Sequence, residues 1–195
     1  MRGPLRVVPR AALGFAASLL LWWTATPAYD RLLAAAAEPL LRFLERPPAT
    51  RLYADERHLV IERSDFPSTS DRPAVPADDL TFNVILLVTL AASGPRLFTD
   101  RGMVRLAAAL GILGIVHVAA VVAAVKSVYA LQLGAWSAAA YGPVSRNLWA
   151  GAFHFYRFVG VFAVPFLLWW LLLRVEAPAV ARRPGAQRPP KRRGR

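Results

Sequence analysis

Cysteine is absent from this 195-residue chain, and histidine occurs only three times. Without cysteine, the chain forms no disulfide and offers no thiolate as a nucleophile or metal ligand. A protein metal site usually requires three or four ligands, and no cysteine or carboxylate accompanies the histidines at metal-ligand spacing. We therefore predict neither a metal site nor a cofactor.

Acidic residues are also scarce, with 12 Asp and Glu against 24 Lys and Arg, although 56% of the chain is hydrophobic. Long uncharged runs decide the class of protein, because a membrane-spanning helix needs about 20 apolar residues, within roughly 17–25. Four runs approach this length, at residues 11–26, 80–98, 104–125 and 149–173. The sequence predicts an all-α membrane protein with four transmembrane helices and a small extracytoplasmic α+β insert that contains a β-hairpin.

The basic residues predict the orientation of these spans. They are concentrated in residues 1–10, between the second and third runs, and in residues 174–195. Because cytoplasmic loops are rich in Lys and Arg, we expect a multi-pass protein of the bacterial inner membrane with both termini in the cytoplasm. The segments expected on the outer side are residues 27–79 and 126–148.

The first apolar run has a second interpretation. Basic residues followed by an apolar stretch are also typical of a cleaved signal peptide. Trp22 and Trp23 lie at the outer end of the run, and aromatic residues at this place are typical of a membrane interface. We favour a retained span and leave cleavage as the alternative.

The outer segment 27–79 divides into three predicted parts. Residues 29–45 have apolar side chains at helical spacing and predict an amphipathic helix, which either lies on the membrane, extends the first span or docks a partner helix. Residues 51–63 alternate and predict a β-hairpin, and a lone hairpin is marginally stable unless something covers it. Residues 64–79 are rich in Pro, Ser and Asp and predict a linker.

Four polar side chains lie in the outer half of the predicted spans. They are Asn83, His117, His154 and Arg157. Ionisable groups within a membrane usually face the bundle interior and mark function, so these four form a candidate polar intramembrane site. The structural alternatives are that Arg157 extends to the interface and that Asn83 hydrogen-bonds a neighbouring helix.

The C-terminal residues 174–195 are rich in Pro and Arg. This composition predicts a disordered basic tail on the cytoplasmic side, whose charge either fixes the topology or contacts anionic lipid. No recognition motif for nucleic acid accompanies the charge. We therefore expect the lipid bilayer as a partner and no nucleic acid.

The order of the spans and three stretches resemble a known family. The stretches are TFNVILLVTLAAS, GILGIVHVAAVVAAV and FHFYRFVGVFAVPFLLWW, at residues 81–93, 111–125 and 153–170. Together with the Trp-ended first span and the β-rich insert, they resemble the exosortase-H-associated membrane proteins. The resemblance implies an accessory role in envelope protein sorting. Exosortases themselves use a Cys, Arg and His set, and because this chain has no cysteine, their activity is not implied.

Two hypotheses for function follow. The first is a non-enzymatic accessory or scaffold protein whose spans and outer insert contact an exosortase-like membrane enzyme or its substrate. The alternative is an outward-facing protein that binds or processes a small ligand or a peptide carboxylate, with Arg157 holding the anion and His117 or His154 acting as acid or base.

Overall fold

A computed structural model describes residues 7–45, 49–66, 72–94 and 97–173. The chain is mostly helical and carries one small sheet. In chain order the elements are α1 (Val7–Phe43), β1 (Arg51–Asp55), β2 (His58–Glu62), β3 (Ala74–Pro76), α2 (Asp78–Thr81), α3 (Asn83–Ser93), α4 (Asp100–Leu131), α5 (Ala135–Ala140), α6 (Pro143–Phe155) and α7 (Val161–Leu168). A π-helical segment, Tyr156–Gly160, joins α6 to α7, and a second one, Trp169–Leu173, follows α7.

Three of the described helices are long and apolar enough to cross a membrane: Val8–Phe43, Asp100–Leu131 and Pro143–Leu173. The second predicted span, residues 80–98, is not among them. Its regular helix α3 has 11 residues and ends before Gly94, which adopts an extended conformation. At about 1.5 Å of rise per residue, α3 is roughly 16 Å long, so the four-span prediction is not confirmed by length.

Helix α3 nevertheless packs antiparallel along the first half of α1. A Cβ atom on Gly14 would collide with Cβ of Ala92, so glycine is required at this crossing. One turn further along α1, the Ser18 hydroxyl lies 3.5 Å from the Thr89 hydroxyl. Small residues at such contacts let helix backbones approach closely, as in membrane bundles.

The predicted hairpin is present and is extended by a third strand. β1 and β2 pair antiparallel from Arg51↔Glu62 to Asp55↔His58, with Glu56 at positive φ in the turn. β3 pairs with β2 through Leu59↔Val75, so the predicted linker 64–79 contains a strand as well as the start of α2. Residues 67–71 of that linker lie outside the described residues.

The sheet is covered by the protein's own helix α1. The predicted amphipathic helix 29–45 corresponds to the second half of α1, continuous with the first span. Its buried face is formed by Leu33, Ala37 and Leu41, whereas Leu32, Leu40 and Phe43 are exposed. The apolar stripe that helical spacing predicts, at Leu32, Leu33, Ala36, Leu40 and Phe43, is therefore offset from the face that packs, because the sheet approaches α1 from a direction that helical periodicity alone does not reveal.

Burial changes along α4. Between Met103 and Ile115 the helix alternates buried and exposed apolar side chains, whereas every residue from Ala120 to Ala130 is buried. The sheet, α1 and α5 surround this second part. The predicted third span, residues 104–125, thus runs from a face open to the surroundings into a protein core.

The remaining predicted boundaries also shift. The predicted outer loop 126–148 contains the end of α4, all of α5 and the start of α6, and the fourth predicted span, 149–173, belongs to the long helical segment that begins at Pro143. Residues 7–10 of the predicted basic N-terminal segment are already helical. The predicted disordered tail, 174–195, lies outside the described residues.

Candidate functional site

Two of the four predicted site residues meet in a buried hydrogen-bond chain. His117 is fully buried on α4, with its Nδ1 2.7 Å from the Tyr29 hydroxyl and its Nε2 2.7 Å from Asn83 Oδ1. Asn83 Nδ2 donates to the Tyr156 hydroxyl at 3.3 Å, and Tyr156 donates to the backbone carbonyl of Leu80 at 2.8 Å. We call these five residues the His117 network.

The His117 network forms one chain of donation when the imidazole is neutral. The Oδ1 atom of Asn83 accepts, so the Nε2 atom of His117 carries the hydrogen of the neutral ring and its Nδ1 accepts from Tyr29. In this form both ring nitrogens of His117 are satisfied. A neutral chain with every link paired suits a site where water is excluded, because an unpaired polar group there is costly.

The geometry of the His117 network depends on the π-helical segment. Tyr156 is the first residue of that segment, and a Cβ atom on Gly160 would lie 2.7 Å from Cδ2 of the Tyr156 ring. The ring therefore occupies the space that a side chain at position 160 would need. The π-turn and Gly160 together direct Tyr156 toward Asn83, and π-bulges inside α-helices are frequent at functional sites.

The other two predicted site residues lie outside this network. His154 is exposed and stacks on Phe158 with ring centroids 6.0 Å apart. Arg157 is exposed and pairs with Asp79 at 3.2 Å. Tyr156 lies between them in sequence but points inward to the His117 network. His154 and Arg157 are exposed and make no hydrogen bond with that network.

A second polar cluster lies further along α4. Lys126 is nine residues beyond His117, or about 14 Å along the helix. The buried carboxylate of Glu45 lies 2.7 Å from Arg63 Nη1 and 3.5 Å from Lys126 Nζ. Thr50 donates its hydroxyl to the same carboxylate at 2.6 Å and contacts the Tyr129 hydroxyl at 2.7 Å. We call these residues the Glu45 cluster.

Arg63 is the centre of charge in the Glu45 cluster. Its Nε and Nη2 donate to the two oxygens of Asp65 at 2.8 and 2.9 Å, and its guanidinium lies 5.4 Å from the ring centroids of both Tyr129 and Trp136. Burial alone would lower the pKa of Arg63, but the hydrogen bond and charge of Asp65 and the charge of Glu45 outweigh it and raise the pKa. The hydrogen bond from Arg63 lowers the pKa of Asp65.

The Glu45 cluster borders a cavity of about 460 Å³. Arg63 and Lys126 line it with Trp136, Tyr141, Ser145 and Trp149, and Glu45, Asp65 and Leu44 complete the wall. We call it the Lys126 cavity. Its volume lies within the range of about 300–1,000 Å³ typical of small-ligand sites.

A third group of buried polar atoms surrounds Arg57. Arg57 pairs with Asp78 at 2.9 Å, and its guanidinium lies 3.8 Å from the centroid of the Trp23 ring. Asp30 is fully buried, interacts electrostatically with Asp78 and Arg57, and finds no hydrogen-bond partner for either carboxylate oxygen among the described residues. The structure thus holds one buried carboxylate that its neighbours do not satisfy.

The sequence contained a partial signal for these groups. Tyr29 and Tyr156 sit within apolar or amphipathic runs, where a hydroxyl needs a partner, but nothing in the sequence pairs them with His117 or Asn83. The predicted boundaries place Lys126 in a loop, Glu45 at the end of a helix and Arg63 at the end of the hairpin, so they give no reason to expect that the three residues meet. Within the described residues, no group of three His, Cys, Asp or Glu side chains is placed to hold a metal ion.

No protein-family model, curated protein or solved structure matches this chain.

Proposed function

We propose that this chain is a non-enzymatic accessory protein of the bacterial inner membrane that crosses the bilayer four times and presents a folded outer cap to an exosortase-like sorting enzyme or its substrate. The single observation that carries the proposal is an apolar surface on the outer half of α1, formed by Leu32, Leu40, Phe43 and Leu44. The exposed fraction of Phe43 is 86%. Exposed apolar patches of this kind mark interaction sites.

The position of this surface favours a protein partner over lipid. Phe43 lies 20 residues beyond Trp23, or about 30 Å along α1, and the hydrocarbon core is itself only about 30 Å thick. The outer half of α1 also packs on the sheet and beside α4, so it stands in the cap and does not lie alone on the membrane. A partner that covers Phe43 and Leu40 would bury them.

The four-span topology is supported by where apolar side chains are exposed. They are dense on α1 from Val8 to Trp23, on α4 from Met103 to Ile115 and on the last helix from Phe155 to Leu171. A few others, at Leu32, Leu40, Phe43, Leu131, Val144 and Leu148, lie beyond these zones. The three dense zones support a common slab, and α3 would lie within it because its C-terminal Ala92 meets Gly14 near the start of α1. With α3 counted as a short crossing, both termini fall on the cytoplasmic side.

The absence of cysteine makes this topology directly testable. We would introduce Glu56→Cys in the hairpin turn and Arg101→Cys at the start of α4, both at exposed positions, and treat intact cells with a membrane-impermeant maleimide. Four spans predict labelling at position 56 and none at position 101 until the membrane is opened. Labelling of both positions in intact cells would contradict the crossing by α3.

The partner is tested by photo-crosslinking in the native membrane. A benzophenone amino acid at Phe43 should crosslink a multi-span sorting enzyme or its substrate, identified by mass spectrometry. The matched control carries the same probe at His58, an exposed residue of β2. A protein that is monomeric in mild detergent and gives no membrane-protein crosslink at position 43 would defeat the accessory role.

The alternative of an enzyme or ligand site built from His117, His154 and Arg157 is less favoured. Both ring nitrogens of His117 are occupied within the network, and His154 and Arg157 lie on an exposed face. If His117→Ala abolished function while the protein kept its fold and its crosslink at position 43, the alternative would replace the accessory role.

A further inference from the structure

Lys126 differs from the other charges of the Glu45 cluster in how it is neutralised. The side chains of Lys126, Arg63 and Glu45 are 5, 5 and 4% exposed, so two cations and one anion are buried together. Asp65, whose side chain is 39% exposed, neutralises Arg63 from the open side with two hydrogen bonds. Counted with Asp65, the two cations and the two carboxylates of the cluster balance.

Lys126 is the cation whose carboxylate partner is least close. Its ion pair with Glu45 is long, at 3.5 Å, and the Glu45 oxygens already accept from Arg63 at 2.7 Å and from Thr50 at 2.6 Å. An ammonium group has three donors. Because Lys126 also lines the Lys126 cavity, a ligand in the cavity can take up the donors that Glu45 does not.

Aromatic side chains form part of the cavity lining. Trp136, Tyr141 and Trp149 line it, and the hydroxyl-bearing Ser145 lies between Tyr141 and Trp149 in sequence. Trp136 is held in place by edge contacts with Tyr129 and Phe66 at centroid distances of 5.7 and 5.5 Å. Arg63, Glu45 and Asp65 also line the cavity but pair closely with one another, so Lys126 is the charged group left to orient a ligand against the aromatic lining.

We propose that the Lys126 cavity binds a carboxylate attached to an apolar group, of the kind found at the C-terminus of a peptide with an apolar last residue. The ammonium group of Lys126 and the hydroxyl of Ser145 would hold the carboxylate, and the aromatic lining would cover the apolar part. The carboxylate would give the ammonium group of Lys126 a closer partner than Glu45, which lies 3.5 Å away. Arg63, whose planar donors suit phosphate, is already occupied by Asp65 and Glu45.

This inference does not rest on the accessory role, because binding is measured on the purified chain alone. The probes are 3-phenylpropionate and 3-phenylpropionamide, which have the same shape and differ in charge. A second pair, acetyl-Ala-Leu-Phe as the free acid and as the amide, distinguishes a peptide site from a site for any small carboxylate. The readout is tryptophan fluorescence of the full-length protein in detergent, since Trp136 and Trp149 line the cavity.

The acids should bind about tenfold or more tightly than their amides, because a hydrogen bond to a charged group is worth roughly 1.5–3 kcal/mol. Lys126→Met should remove this preference, and Ser145→Ala should reduce affinity for the acids severalfold. The control Arg101→Met, an exposed residue at the far end of α4, should change nothing. Tighter binding of the free acid of acetyl-Ala-Leu-Phe than of 3-phenylpropionate would support a peptide as the ligand. Equal affinity for these two acids would overturn the assignment to a peptide C-terminus.

Equal affinity for acid and amide, or an unchanged preference in Lys126→Met, would overturn the proposal. Trp149→Ala is a second test in case Lys126→Met folds poorly, because it removes part of the aromatic lining of the cavity and leaves every charged residue in place. If Lys126→Met melts earlier than the unmodified protein, Trp149→Ala and Ser145→Ala decide the question. Weaker binding in both supports the cavity, and unchanged binding in both would overturn it.

Discussion

The His117 network and the Glu45 cluster are both buried and both join residues that are distant in sequence, yet they are built from different chemistry. At His117, neutral side chains from α1, α3, α4 and the π-helical segment donate in one direction. About 14 Å further along α4, Glu45, Arg63 and Lys126 carry full charges. Neutral hydrogen bonds suit a site enclosed by apolar helices, whereas the charged groups lie where the partly exposed Asp65 and a cavity adjoin them.

This comparison predicts that the Glu45 cluster is the more sensitive region. Replacing Glu45 with Ala would leave Arg63 and Lys126 buried without their shared carboxylate, and breaking a buried pair in this way costs about 3–5 kcal/mol. We expect that loss in the free energy of unfolding, measured by denaturation in detergent. The control Glu62→Ala removes an exposed pair with Arg72 and should cost less than about 1 kcal/mol. Similar losses for both variants would contradict a buried charge centre.

The His117 network should respond to a change that touches none of its polar groups. In Gly160→Ala the new Cβ would collide with the Tyr156 ring at 2.7 Å, displacing a hydroxyl that bonds Asn83 and Leu80. We expect the free energy of unfolding, measured by denaturation in detergent, to fall by about 1–3 kcal/mol, because this is the cost of leaving a buried polar group unpaired.

The matched control for this change is Gly151→Ala in α6. Nothing lies within 4 Å of a Cβ built there, so the substitution should stabilise the helix by up to about 1 kcal/mol. If both glycine variants behaved alike, the close packing of Tyr156 on position 160 would not matter for stability.

Asp30 is a buried carboxylate without the hydrogen-bond partners that Glu45 has. Removing its charge should therefore have the opposite effect on stability from removing the charge of Glu45. Its carboxylate oxygens find no hydrogen-bond donor among the described residues, and Asp78 lies close enough to repel it. Asp30→Asn should therefore raise the free energy of unfolding by about 1 kcal/mol. A thermal-melting series in detergent measures this, and a clear loss of stability would mean that Asp30 holds a bound cation or water in the native protein.

The smallest expected effect concerns Asp65 at the edge of the Glu45 cluster. Its pKa is lowered by the hydrogen bond from Arg63, so its contribution is fully present above its unfolded pKa of about 3.9. The contribution is lost as the pH falls through the lower folded pKa. Because the side chain is 39% exposed, we expect less than about 1 kcal/mol.

Asp65→Asn provides the measurement for this effect. Stability of the unmodified protein should fall more steeply than that of the variant between about pH 5 and pH 2. Identical pH profiles would show that Asp65 and Arg63 do not pair in solution.

Part of the site was visible in the sequence, and the reason is local. Asn83 and His117 stood out because each interrupts an apolar run, and a polar group in such a run must find a partner. The expectation that His154 and Arg157 join them rested on the rule that ionisable groups within a membrane usually face the bundle interior. That rule does not say which side of a particular helix turns inward, and here the π-turn directs Tyr156 inward and leaves Arg157 to pair with Asp79.

The features that depend on neighbours along the chain could be read from the sequence alone. Three apolar runs belong to helices long enough to span a membrane, the alternation at residues 51–63 produces the hairpin, and the lack of cysteine excludes thiol chemistry. Which apolar residues are covered by protein, such as Ala120 to Ala130, follows from how the elements pack in three dimensions. The same packing sets which polar groups pair, as Thr50 does with Tyr129 across 79 residues. Such pairs depend on how helices and sheet pack, and packing is set by the whole surface of each element and not by its local periodicity.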